Sequence, residues 1–298
     1  MASRALLTRV KSKMHLRTRR RVLHLLDGQY RSLLRGRSMD FDDLREYQPG
    51  DEVKDIDWKA SARAQETLVK RYHAERRHRV LFAVDRGRNM AAVAESGEEK
   101  RAIAVLAAGV LAYLAIRHGD EVGLVAGDAD GVVQLPFRTS EPELERMLHA
   151  AHDPVRLDGP KSDLIGLLER VRATSTGRHF LVVIADEIDW DERLAQLARR
   201  LAAQHDLIWL EIPDADPIIR SPKGELRAYD VAGGWEMPSF LRDDRQLREE
   251  YEYRERRRRI EMESAFERAG VSYARISAED EVIPELLRMR KARAHGRR

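Results

Sequence analysis

The chain has 298 residues, 43% of them hydrophobic, enough to bury one large core or two modest ones. It holds no cysteine, which excludes disulfides, thiolate nucleophiles and thiolate metal sites, so a metal would need oxygen or imidazole ligands. The net charge of +3 hides an asymmetry: residues 1–37 carry eleven Lys/Arg against Asp27 and residues 285–298 carry six against Glu285, which leaves about −12 on the middle.

The N-terminal segment reads as a basic helix whose apolar residues Val22, Leu23, Leu25 and Leu26 stop near Asp27-Gly28. Its start lacks a signal peptide's apolar stretch, and no run approaches the roughly eighteen apolar residues of a membrane span, so the expected location is the cytoplasm. Basic ends on an acidic body suit phosphate, an anionic membrane surface or an acidic partner; the plain alternative is a solvated face at RTRRR (17–21) and a soluble tail at RKARAHGRR (290–298).

Residues 38–63 read SMDFDDLREYQPGDEVKDIDWKASAR, with eight carboxylates in the eighteen positions from Asp40 to Asp57. The steps between Phe41, Leu44 and Tyr47 predict a short helix capped by Asp40. Pro49-Gly50 predicts a type II turn after Gln48, and Leu68-Val69 a short strand. The acids do not form a Ca²⁺ loop, because Leu44, Arg45 and Asp51 stand where an acid or amide, glycine and glutamate are needed. Interleaved Arg45, Lys54, Lys59 and Arg63 argue against a catalytic carboxylate pair. Helix capping and ion pairing, or a partner surface carried by Tyr47, Pro49, Asp51 and Trp58, remain.

From residue 79 strands and helices alternate. RVLFAVD (79–85), DEVGLVAG (120–127), HFLVVIAD (179–186), DLIWLEI (206–212) and VSYARI (271–276) read as buried strands, with GVVQLPF (131–137) as an edge strand. Helices are predicted at 98–119, 141–152, 162–175, 191–205, 241–270 and 280–289. The pattern predicts an α/β fold with a mostly parallel sheet covered by helices on both faces. The expected organisation is a basic helical segment at 1–28, an acidic segment at 29–78 packed on the main domain, an α/β domain at 79–290 with an insertion near 213–240, and a basic tail at 291–298. Two strands end in aspartate, Asp85 and Asp186, at the end of the sheet where such folds bind ligands. Trp190, Trp209 and Trp235 read as core or strand residues, and RERRRR (254–259) as a salt-bridged helix face.

The acidic segment at 40–63 and the later DPIIRSPKGELRAYDVAGG (216–234) resemble the bacterial domain of unknown function 58 family, and the later part of the chain resembles a von Willebrand factor A domain. The resemblance covers about residues 28–290 and is closest to soluble members of the family. It implies a DxSxS-type site for Mg²⁺ or Mn²⁺, built from oxygen ligands. Asp85 matches the first aspartate, but Gly87 and Asn89 stand at the serines; Ser162 is the candidate for the later threonine and Asp186 for the last aspartate. The site so implied is degenerate, with two readings. In one, Asp85, Asn89 through its carbonyl oxygen, Ser162 and Asp186 hold Mg²⁺ or Mn²⁺, which bridges to a partner carboxylate. In the other, the preferred reading, no ion binds and Arg86 and Arg88 pair with Asp85 or Asp186 or grip a partner carboxylate directly. The resemblance also implies a MoxR-type AAA+ ATPase as partner and a non-enzymatic adaptor role with an unknown client. No P-loop, dinucleotide-binding, HExxH or GxSxG motif is present. The rival expectation is a nucleic-acid or anionic-membrane binder using the basic termini.

Overall fold

The computed structural model describes residues 5–16, 21–34, 43–48, 56–71, 77–187, 190–215, 229–231, 235–236 and 245–289. Its centre is a six-stranded sheet of β3 (Arg79–Asp85), β4 (Glu121–Asp128), β5 (Gly131–Arg138), β6 (Phe180–Asp186), β7 (Asp206–Ile212) and β10 (Ser272–Arg275). The order across the sheet is β10-β7-β6-β3-β4-β5, parallel throughout except for β5, the antiparallel edge strand. This is the Rossmann-like α/β fold that the strand and helix alternation predicts.

Both faces of the central strands are buried, which is why they read as continuous apolar runs. Side chains alternate across the sheet, so Val80, Phe82, Val84, Val182 and Ile184 enter one core while Leu81, Ala83, Leu181 and Val183 enter the other. The first core is covered by α4 (Lys100–Arg117), α5 (Glu141–His152) and α9 (Val282–Arg288). The second is covered by α6 (Leu164–Thr174), α7 (Glu192–Gln204) and the C-terminal half of α8 (Arg245–Ala269). Trp209 is fully buried there, with Trp190 edge-on to it and to Phe266. On α8, Arg254–Glu250 and Arg257–Glu261 pair at four-residue spacing, as the RERRRR reading expects.

The N-terminal region departs from expectation. It forms two helices, α1 (Leu6–Leu16) and α2 (Arg21–Leu34), and α2 runs straight through Asp27-Gly28. An interior glycine costs a helix about 1 kcal/mol. Tertiary anchors beyond it outweigh that cost: buried Tyr30 donates its hydroxyl to Asp120 at 2.8 Å, and Gln29 Nε2 donates to the Met289 carbonyl at 2.7 Å. Helix α1 lies on α4 and α5 through buried Leu7, Val10 and Met14, and Glu145 of α5 accepts the first amides of α1, Leu6 and Leu7, at 2.6 Å each.

The expected helix at 40–47 is also corrected. Residues Asp43–Glu46 form strand β1, antiparallel to β2 (Leu68–Arg71), with α3 (Trp58–Ala64) between them in sequence. Asp57 caps α3 by accepting the Ala60 amide at 3.0 Å, which assigns one of the eight acids a structural role. The turn at 49–50 and Asp51 lie outside the described residues. A two-residue ribbon, β8 (Tyr229–Asp230) with β9 (Trp235–Glu236), stands within the expected insertion.

Candidate functional site at the carboxyl ends of the strands

From β3 the chain builds outward through β4 to β5, then returns to the other side of β3 for β6, β7 and β10. The order therefore reverses between β3 and β6, and a crevice beyond the carboxyl ends of these two strands is the position where open α/β sheets bind ligands. Asp85 ends β3 and Asp186 ends β6. Both are buried, at 2% and 3% exposure.

The loops around them are fastened to one another. The Arg86 amide donates to the Gly127 carbonyl, the Arg88 amide to that of Pro160, and the Ala129 amide to that of Lys161, at 2.7–3.0 Å. Residues 160–162 thus lie across the ends of β3 and β4. Asp163 caps α6 by accepting the Gly166 amide at 2.9 Å and so fixes Ser162 beside the end of β3. Asp85 accepts the Gly87 amide at 2.9 Å. Burial pushes its carboxyl up to about 6, against the lowering effects of the Gly87 amide, the neighbouring Ser162 hydroxyl and the Lys100 charge. The Ser162 hydroxyl adjoins this carboxyl, yet its Oγ makes no hydrogen bond of normal distance and angle, and neither does the buried Oδ1 of Asn89.

The cation at this centre is Lys100, which sequence reasoning missed. Its ammonium, wholly buried at the start of α4, donates to Asp186 Oδ1 at 2.5 Å and to Asp214 Oδ1. Asp186 Oδ1 also accepts the Glu187 amide at 2.6 Å. Burial works against the lysine's charge, but the two carboxylates outweigh it and hold its pKa above the ordinary value. Burial likewise raises the pKa of Asp186, and Lys100 opposes that shift. Asp214 follows β7 and is held in place by pairing of its loop with residues 93–94.

The expected pairing of Arg86 with Asp85 or Asp186 is corrected accordingly. Arg86 turns to Asp128 at the end of β4, at 2.8 Å, and both side chains are largely buried, so Arg86 is not available to a partner carboxylate. Arg88 is half-buried in the short 3₁₀ turn Arg88–Ala91. The structure brings Asp85, Gly87, Asn89, Ser162 and Asp186 to one end of the sheet, whereas Tyr47 and Trp58 lie on the β1–α3–β2 unit, exposed at 39% and 66%.

The ligand set fits a divalent ion poorly. A side chain at position 87 has no room, because a Cβ there would lie 2.4 Å from the Ser162 backbone, and Asp186 Oδ1 already carries the Lys100 ammonium and the Glu187 amide. Among the described residues no three His, Asp or Glu side chains are grouped for a metal.

A family model described as "Protein of unknown function DUF58" matches residues 43–261. The chain belongs to this family. Three uncharacterized mycobacterial proteins, one from Mycobacterium bovis and two from strains of Mycobacterium tuberculosis, are each 27% identical to this DUF58 chain over 242 residues, covering 78% of it and 74% of the relative. Among solved structures, an aerotolerance-related membrane protein from Bacteroides fragilis aligns with 71% of the chain and all of its own at 14% identity and a TM-score of 0.41. The PilB minor pilin from Streptococcus sanguinis aligns with 74% of the chain and 62% of its own at 9% identity and a TM-score of 0.40. Neither likeness carries a functional argument. No helix among the described residues is long and apolar enough to cross a membrane.

Proposed function

We propose that this DUF58 protein is a non-enzymatic adaptor with a von Willebrand factor A-like domain and a degenerate metal-ion-dependent adhesion site, which connects a MoxR-type AAA+ ATPase to a client in chaperone-like or assembly work. The observation that carries the docking part of this reading is the surface at the carboxyl ends of the strands. Its loops are bonded to one another around a buried charged centre, and they expose Val93 at 47% and Leu157 at 62%. These two apolar side chains on fastened loops offer a partner contact area, and the charged rim around them, including half-exposed Asp214, supplies selectivity. The ATPase as partner rests on membership of the family and its resemblance.

Tagged protein expressed in its own cells should retain a AAA+ ATPase identified by mass spectrometry, and Leu157→Asp should reduce that recovery at least tenfold while leaving the melting temperature unchanged. Equal recovery with the variant removes this surface as the contact.

The rival reading, a nucleic-acid or anionic-membrane binder, draws less support. In α1, Arg9 and Lys13 pair with Glu279, and Lys11 pairs with Glu141, so these cations are already engaged within the fold.

A further inference from the structure

We infer that the Lys100 ammonium occupies the place of a cation at the switch point, so that the strand-end surface is organised without a divalent ion. Three observations meet here. Lys100 is the first residue of α4, where the helix dipole disfavours positive charge, and its side chain is wholly buried. Such a residue is stable only with compensation, and its described ion pairs are Asp186 and Asp214, from the ends of β6 and β7. The third is that positions 87 and 162 are in backbone contact, which leaves no space for an oxygen-bearing side chain at 87.

A lysine differs from Mg²⁺ or Mn²⁺ in ways that matter here. It carries one charge, directs three donors at acceptors, and has no exchangeable position to offer a partner's carboxylate. A partner at this surface is therefore recognised by shape and apolar contact around Val93 and Leu157, and its binding does not pass through a bridging ion. The ammonium fixes the ends of β6 and β7 to the start of α4, so it holds three of the loops that make the surface. The assignment of Lys100 rests on geometry alone and stands whether or not an ATPase is the partner.

The test uses the full chain and Mn²⁺ as probe, read by electron paramagnetic resonance. With wild-type protein in excess over Mn²⁺ at near-neutral pH, the six-line signal of the free ion should keep its full amplitude, and the melting temperature should be the same in Mg²⁺ and in EDTA. Loss of the free-ion signal that is restored by Asp85→Asn would place an ion beside the lysine and overturn the inference.

Lys100→Met should lower the melting temperature, and Lys100→Met combined with Asp186→Asn should recover part of the loss, because the double variant removes the charge on both sides. Should Lys100→Met fail to fold, the same double variant is compared with wild type: recovery of a folded protein supports charge compensation. A Lys100→Met protein that melts like wild type contradicts it, as does a double variant no more stable than the single one.

Discussion

Lys100 stands at a helix position that opposes its charge, inside a core that excludes water, and two carboxylates hold it there. Removing one member of a buried ion pair leaves the other uncompensated, a cost of about 3–5 kcal/mol. Lys100→Met is therefore expected to lower the unfolding free energy by about that amount in urea titrations; a loss below about 1 kcal/mol would mean that the aspartates are compensated elsewhere. A second buried charge sets a pH dependence. Glu211 on β7 is fully buried, and burial first, then the charge of Glu187, pushes its carboxyl up to about 7 against the pull of Arg258 and Arg275. With its folded pKa above the ordinary 4.5, Glu211 contributes stability that is complete below that value and lost as pH rises through about 7. Between about pH 5 and pH 8 the wild type should lose about 2–3 kcal/mol relative to Glu211→Gln, measured by urea midpoints across pH. Parallel curves for the two proteins would exclude this titration. At this scale Asp85 and Asp186 were legible in the sequence, because each ends an apolar run and strand ends are where such sheets place ligands. Lys100 and Asp214 were not, since their partnership spans 114 residues and nothing local marks it. The one local sign is a lysine opening an apolar helix, against the preference set by the helix dipole.

Helix α1 docks by shape as much as by charge. A Cβ on Gly109 of α4 would lie 2.5 Å from Val10 Cγ2, and Val10 is buried and branched, so it cannot turn aside. Gly109→Ala should gain about 1 kcal/mol of helix propensity in α4 but lose about 1–3 kcal/mol from overpacking. The expected result is faster amide exchange in α1 than in the wild type, with exchange in the central strands unchanged. Slower exchange in α1 would show that the helices separate without cost. The central strands were readable because Val, Leu and Ile runs buried on both faces carry their own signal. Strand β1 was not: Phe41, Leu44 and Tyr47 mimic a helical repeat, and Asp43–Glu46 becomes a strand only by pairing with Leu68–Arg71. The end of α2 was misplaced for a related reason, as Tyr30 and Gln29 reach partners 90 and 260 residues away.

Over the whole molecule, a sheet whose order reverses between β3 and β6 brings Asp85, Ser162, Asp186, Lys100 and Asp214 to one end, beneath loops that expose Val93 and Leu157. The described residues of the acidic segment form β1 and α3, joined by the pairing of β1 with β2, and Trp58 at the start of α3 is exposed. If the strand-end surface alone carries the proposed docking, Trp58→Ala should leave recovery of the proposed ATPase within about twofold of wild type, whereas Leu157→Asp lowers it at least tenfold. An equal loss with Trp58→Ala would make the two surfaces a shared contact. Whether an ammonium or a metal ion organises this surface is decided by a crystal structure of the wild-type protein grown with Mn²⁺ and recorded with anomalous scattering. The expected result is Lys100 Nζ within hydrogen-bond distance of both Asp186 and Asp214, with no anomalous peak at the strand ends. A peak enclosed by Asp85, Asn89 and Ser162 would contradict it.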